Sequence, residues 1–103
     1  MERVIKLASQ NPIVIFSKSS CCMCHAITKL FHEHGSSPVV YELDEQVDGK
    51  EIERALVMGL GRSPPIPAVF IGGKFVGLAQ DVLTFHLDGS LRRMLKDAGA
   101  LWL

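Results

Sequence analysis

Cysteine is absent outside a single turn. The chain of 103 residues has three, Cys21, Cys22 and Cys24, all within four positions. An odd, clustered set cannot staple a small secreted fold, which needs pairs spread along the chain. An excess of one charge is missing as well, since 11 Lys and Arg balance 11 Asp and Glu. A direct nucleic-acid binder would show a basic field, so none is expected here. No apolar run approaches the roughly 18 residues that a membrane span requires. No charged-then-apolar N-terminus resembles a signal peptide. Internal repeats, low-complexity tracts and linkers are also lacking. What is present is a hydrophobic content of 48% with only 21% charged residues, which excludes disorder and can fill one real core. The expectation is a soluble intracellular single domain, residues 1–103, with no membrane contact.

Punctuation and periodicity divide the chain into elements. Ile13-Val14-Ile15-Phe16 follows Pro12 and reads as a fully buried strand. Ser17-Lys18-Ser19-Ser20 offers turn and N-cap residues. Met23, Ala26, Ile27, Leu30, Phe31 and His34 then keep helical spacing until Gly35. Val39 to Leu43 follows Pro38 as a second strand, and the helical period returns from about Asp48 to Leu60. Ala68–Ile71, Gly72-Gly73 and Lys74–Val76 form a hairpin in which the glycines take the two positive-φ positions, with Gly77 ending it. Helices close the chain over about Gln80–Leu87 and Ser90–Ala98, separated by Asp88-Gly89. A right-handed βαβ unit followed by a hairpin gives an α/β fold, a four-stranded mixed sheet with helices on both faces. That plan is the thioredoxin fold. Its βα junction places the cysteines at the carboxyl end of the first strand, where open α/β sheets hold their sites.

Cys21-Cys22-Met23-Cys24 is a C-x-x-C directly after a serine N-cap. Positions i and i+3 of a first helical turn bring two sulfurs within disulfide reach. Free N–H groups and the positive end of the macrodipole favour a thiolate at the first cysteine, and Lys18 adds a cation. An ordinary thiol with a pKa of about 8.5 is only a few per cent ionised at pH 7. Lowering that value by two units would make it mostly the thiolate that attacks disulfides. Cys21 is therefore the candidate nucleophile and Cys24 the resolving thiol. The competing readings are three inert structural cysteines, or half of a zinc site. The second half is missing, because no other cysteine exists and His25, His32, His34 and His86 are not spaced as paired ligands. No metal is expected, and His25 alone is close enough in sequence to modulate the thiols.

Two further segments complete the constellation. Pro65-Ile66-Pro67-Ala68 stands immediately before a strand, where this fold places a cis X-Pro bond. Such a bond would turn the Ile66 N–H and C=O toward an extended, peptide-like substrate; the plain alternative is an ordinary proline loop. Gly77-Leu78-Ala79-Gln80-Asp81 opens a helix, whose N–H groups can hold a carboxylate while Asp81 holds an ammonium. Ordinary capping by Asp81 explains the same residues.

Together, Lys18, Cys21-x-x-Cys24, Ile66-Pro67, Gly72-Gly73 and Gly77 followed by Asp81 resemble glutaredoxin from about Pro12 to Met94. The Cys-Cys-Met-Cys turn and terminal Ala100-Leu101-Trp102-Leu103 resemble the land-plant CC-type glutaredoxins, the ROXY class. The resemblance implies a thiol–disulfide oxidoreductase that uses glutathione as co-substrate and acts on protein thiols or mixed disulfides. Lys18 would meet the glycine carboxylate of glutathione, Ile66 and Pro67 its cysteine backbone, and Gln80 and Asp81 its γ-glutamyl end. The chain departs from the common pattern in three places. Cys22-Met23 replaces Pro-Tyr and removes an aromatic wall beside glutathione, Pro65 replaces Thr, and Leu78 replaces a second Gly. Cys22 has no assigned role. The class also implies binding of TGA-type bZIP transcription factors, in cytoplasm and nucleus, through Ala100, Leu101, Trp102 and Leu103. An adaptor with weak redox activity and a glutathione-ligated 2Fe–2S protein are the alternative functions. The latter is associated with a Cys-Gly-Phe-Ser turn, which this chain lacks.

Overall fold

The computed structural model describes residues 2–61 and 65–100. Among these, the order is α1 (Glu2–Ser9), β1 (Ile13–Ser17), α2 (Cys22–Glu33), β2 (Val39–Glu42), α3 (Gly49–Leu60), β3 (Ala68–Ile71), β4 (Lys74–Gly77), α4 (Ala79–Asp88) and α5 (Ser90–Asp97). The strands form one mixed sheet in the order β2-β1-β3-β4. β1 runs parallel to β2 and antiparallel to β3, and β3 is antiparallel to β4. This is the thioredoxin fold.

The uninterrupted apolar run of β1 has its physical reason in this arrangement. A central strand of an α/β sheet is covered on both faces and so loses the polar alternation of a half-exposed strand. All five of its residues are buried. Val14 and Phe16 face one layer with Val4, Leu7 and Ala8 of α1 and Ile52 and Leu56 of α3. Ile13 and Ile15 face the other, with Ile27 and Phe31 of α2, Val82 of α4, and Leu91 and Leu95 of α5. Each large side chain so buried contributes about 1.5–3 kcal/mol. Gly72 and Gly73, at φ 61° and 81°, make the hairpin turn as their sequence requires.

Two features differ from the sequence-based expectation. Helix α1 was not anticipated, because a helix of eight residues offers barely two turns of period; Val4, Leu7 and Ala8 carry that period and are buried. The N-cap of α2 is Cys21 itself, not a serine. Two residues earlier, Ser19 donates both its backbone N–H and its hydroxyl to Asp44. The Cys21 sulfur takes over the capping role.

On the second face, α4 is joined to the C-terminal end of α2 by a histidine pair. His34 Nε2 and His86 Nδ1 lie 2.9 Å apart, with the rings perpendicular. One ring must donate and the other accept, so two imidazolium rings cannot share the contact. Burial holds the His34 pKa below its ordinary 6.5, and the charges of His86 and Arg92 act the same way against an opposing Glu33. The unfolded chain therefore takes up a proton that the folded one resists, and stability is lost as pH falls below about 6.5. Thermal melts of His34→Gln and the parent between about pH 7 and 5 check this: the variant should lose less of its melting temperature on acidification. Parallel curves would exclude the pair as a source of acid lability.

Candidate active site

Register brings three separate segments to one end of the sheet. Phe16 pairs with Ala68, so the carboxyl end of β1 lies beside the start of β3. Val69 pairs with Gly77, so the carboxyl end of β4 lies there too. β2 is parallel to β1, with Glu42 opposite Ser17, and delivers residues 43 and 44 to the same end. The 18–21 loop, the Ile66-Pro67 segment and the Gly77-to-Asp81 turn are therefore neighbours by topology alone.

The cysteine turn is built by backbone hydrogen bonds. The Cys21 N–H donates to Lys18 O at 3.0 Å, closing the loop that leaves β1. Cys21 is extended (φ −86°, ψ 107°) and caps α2, its Sγ accepting from the Cys24 N–H at 3.1 Å. Cys21 and Cys24 form a disulfide, with Cα atoms 5.3 Å apart. Cys24 is buried at 2% exposure, whereas Cys21 is half-buried. That asymmetry matches a sulfur that meets an incoming substrate and a second that meets only the first. An N–H aimed at Sγ and the helix dipole both favour the charged form when the pair is reduced. Cys22 is free and exposed, beside exposed Met23. The His25 ring is bonded to Ser19 O at 3.0 Å.

The remaining expected residues divide by what already holds them. Lys18 Nζ lies 3.0 and 3.1 Å from the two carboxylate oxygens of Glu53, on α3. The Ile66-Pro67 bond is cis, and half-buried Ile66 packs against the α1/α3 layer. Gln80 is exposed in the first turn of α4. Asp81 Oδ2 accepts from the Leu78 N–H at 3.0 Å and so caps that helix. Ala100 donates its N–H to Leu95 O at 2.8 Å and packs against the second layer. Leu101, Trp102 and Leu103 lie outside the described residues.

Sequence reasoning missed Glu53 and Asp44. Ser19 donates to Asp44 from its hydroxyl and its N–H, which holds that carboxyl below the usual range, with Lys18 adding to the effect. Asp44 thus tethers the cysteine loop to the end of β2. Neither residue belongs to a local motif, and only the parallel register of β1 and β2 shows that residue 44 reaches residue 19. Together with Lys18, Lys50 and Arg54 they border a groove of about 730 Å³.

Comparison with known proteins agrees with this geometry. The glutaredoxin family model matches residues 13–76. Monothiol glutaredoxin-S10 of Arabidopsis thaliana is 60% identical over 103 residues, and glutaredoxin-C11 of the same plant 57% over 104, with both chains covered completely in each case. The crystal structure of a buckwheat glutaredoxin–glutathione complex superposes with a TM-score of 0.92 at 39% identity, covering 97% of this chain and 90% of that one.

Gly77 joins β4 to the α4 turn at φ 154°, a conformation L side chains rarely adopt. A Cβ placed there would stand 2.7 Å from Asp81 Oδ2 and 2.8 Å from its Cγ, against the very carboxylate that caps α4. Gly77→Ala should cost about 1–3 kcal/mol, read as a lower urea midpoint at unchanged slope. A midpoint equal to that of the parent would show that the turn relaxes freely.

Proposed function

The chain belongs to the glutaredoxin family, whose members are glutathione-dependent thiol–disulfide oxidoreductases, and on that premise we propose a division of labour among its residues. Cys21 is the nucleophile. Its thiolate attacks the glutathione sulfur of a protein–glutathione mixed disulfide, that S–S bond breaks, and the protein thiolate leaves and takes up a proton. The new Cys21–glutathione disulfide is then resolved in one of two ways. A second glutathione thiolate attacks the bound glutathione sulfur, releasing glutathione disulfide and regenerating Cys21. Alternatively, Cys24 attacks Cys21 Sγ, glutathione leaves as a thiol, and the internal disulfide closes; two further glutathiones reduce it. The observation that carries this reading is the Cys21 sulfur at the α2 N-cap, half-exposed, 3.1 Å from the Cys24 N–H. Amides aimed at a sulfur stabilise it as an attacking thiolate and as a leaving group alike.

Glutathione is the co-substrate, and the buckwheat complex with that tripeptide supports a comparable groove here. Lys18 receives its glycine carboxylate, the Ile66 backbone beside Pro67 pairs with its cysteine, and Gln80 and Asp81 take the γ-glutamyl end. The juxtaposition of these segments at the end of β1 supports the assignment.

The finer reading is that of a CC-type protein of the ROXY class, acting in cytoplasm and nucleus on TGA-type bZIP factors without contacting DNA itself. The Cys-Cys-Met-Cys turn and the zero net charge support it. So does the apolar Leu101-Trp102-Leu103 end, a Trp-centred anchor of the kind that dominates interfaces. Ala100 is held by Leu95 and by the second layer, so the proposed anchor begins in effect after it.

Two measurements separate these parts. In reduction of a glutathionylated peptide, Cys21→Ser should abolish turnover and Cys24→Ser should retain it through the glutathione route. Activity of Cys21→Ser equal to that of the parent would overturn the nucleophile assignment. Truncation after Ala100 should leave the melting temperature nearly unchanged and abolish binding to a TGA-type factor. A fall of many degrees with binding retained would make residues 101–103 part of the core.

A further inference from the structure

The residue proposed to receive the tripeptide carboxylate already holds one. Lys18 Nζ sits 3.0 Å from Glu53 Oε1 and 3.1 Å from Oε2, so both oxygens of one carboxylate occupy the ammonium. The pair joins a loop residue to helix α3, 35 positions apart, and lies partly out of solvent, with 34% and 29% of the two side chains exposed. It is therefore screened less than a fully exposed pair. A second carboxylate stands near the same cation: Asp44, tied to Ser19, has its pKa depressed in part by the charge of Lys18. An incoming carboxylate at Lys18 must then displace Glu53 or share the cation with it, in the field of Asp44 and beside Glu51.

We propose that Glu53 is a specificity-determining residue, an internal carboxylate that competes with the C-terminal carboxylate of glutathione for Lys18 and so weakens its binding. The inference rests on the assignment of Lys18 to that carboxylate. Its consequence is selective. A thiol tripeptide lacking the terminal charge, or a protein disulfide with no carboxylate at this position, escapes the competition. Glu53 therefore shifts the balance of substrates from free glutathione toward neutral or cationic protein segments at the α3 side of the site.

The test is calorimetric titration of the reduced protein with S-methylglutathione and with its C-terminal amide, unreactive ligands that differ only in the charge at issue. Glu53→Gln keeps the size and polarity of the side chain and should bind the acid about two- to fivefold more tightly, the factor an ion pair of this exposure corresponds to. Its affinity for the amide should not change. Glu53→Ala should behave alike, which separates loss of the charge from a new contact of the glutamine. Equal tightening of both ligands, or no change for either, would overturn the proposal. Lys18→Met reports on the underlying assignment: it should weaken binding of the acid and spare the amide. If Lys18→Met binds the acid as the parent does, Lys18 is not the carboxylate ligand and both assignments fall. If it weakens the acid while Glu53→Gln changes nothing, the competition alone is refuted. In turnover, the Glu53→Gln gain should appear in KM for glutathionylated peptide, with kcat held.

Discussion

Burial of Ile13, Val14, Ile15 and Phe16 on both faces of the sheet fixes β1 at its centre, and the geometry of the reactive end follows from that placement. A strand covered on two sides must have a hydrogen-bonded partner along each edge, here β2 and β3. The parallel partner brings Asp44 to the cysteine loop, and the antiparallel one brings Ile66-Pro67. A shift of β1 by one residue would exchange its two core faces and separate all three segments at once. The precision of the site is thus a property of strand register, enforced by apolar packing remote from the sulfurs.

On that frame, the chemistry depends on which group caps α2. A serine there would satisfy the same N–H and leave the sulfur without it. Here the cap is Cys21, and the reactive atom itself receives the backbone donor. The helix end then does two things with one hydrogen bond. It completes its own capping, and it stabilises charge on the sulfur that is proposed to attack. Cys24, one turn on and buried, is reached from within the protein and shielded from other disulfides.

The charges around the site show the opposite economy. Net charge is zero, yet Lys18, Glu53, Asp44, Lys50 and Arg54 gather on one side of the cysteine loop. Glu53 occupies the Lys18 ammonium with both carboxylate oxygens. On the proposed assignment of Lys18, recognition of an acidic ligand there becomes a contest between carboxylates, set by differences of the size of one surface ion pair. The same contact joins the cysteine loop to α3.

Much of this was legible in the chain. Periodicity, Gly72-Gly73 and the C-x-x-C turn specify most elements, the sheet and the cysteine pair, because these depend on neighbours in sequence: side-chain alternation, positive φ in a two-residue turn, and i to i+3 proximity. The cis Ile66-Pro67 bond was expected from the place of Pro67 in the inferred fold, ahead of a strand, and it is present. Helix α1 was too short for its period to stand out. The identity of the α2 cap, the partner of Lys18 and the tether at Asp44 were not legible at all. The last two depend on residues 35 and 25 positions apart whose meeting is decided by strand pairing and helix packing. The local code determined where the sulfurs are; only the tertiary structure decided which charges surround them, because charge pairing is set by distance in space and leaves no periodic trace along the chain.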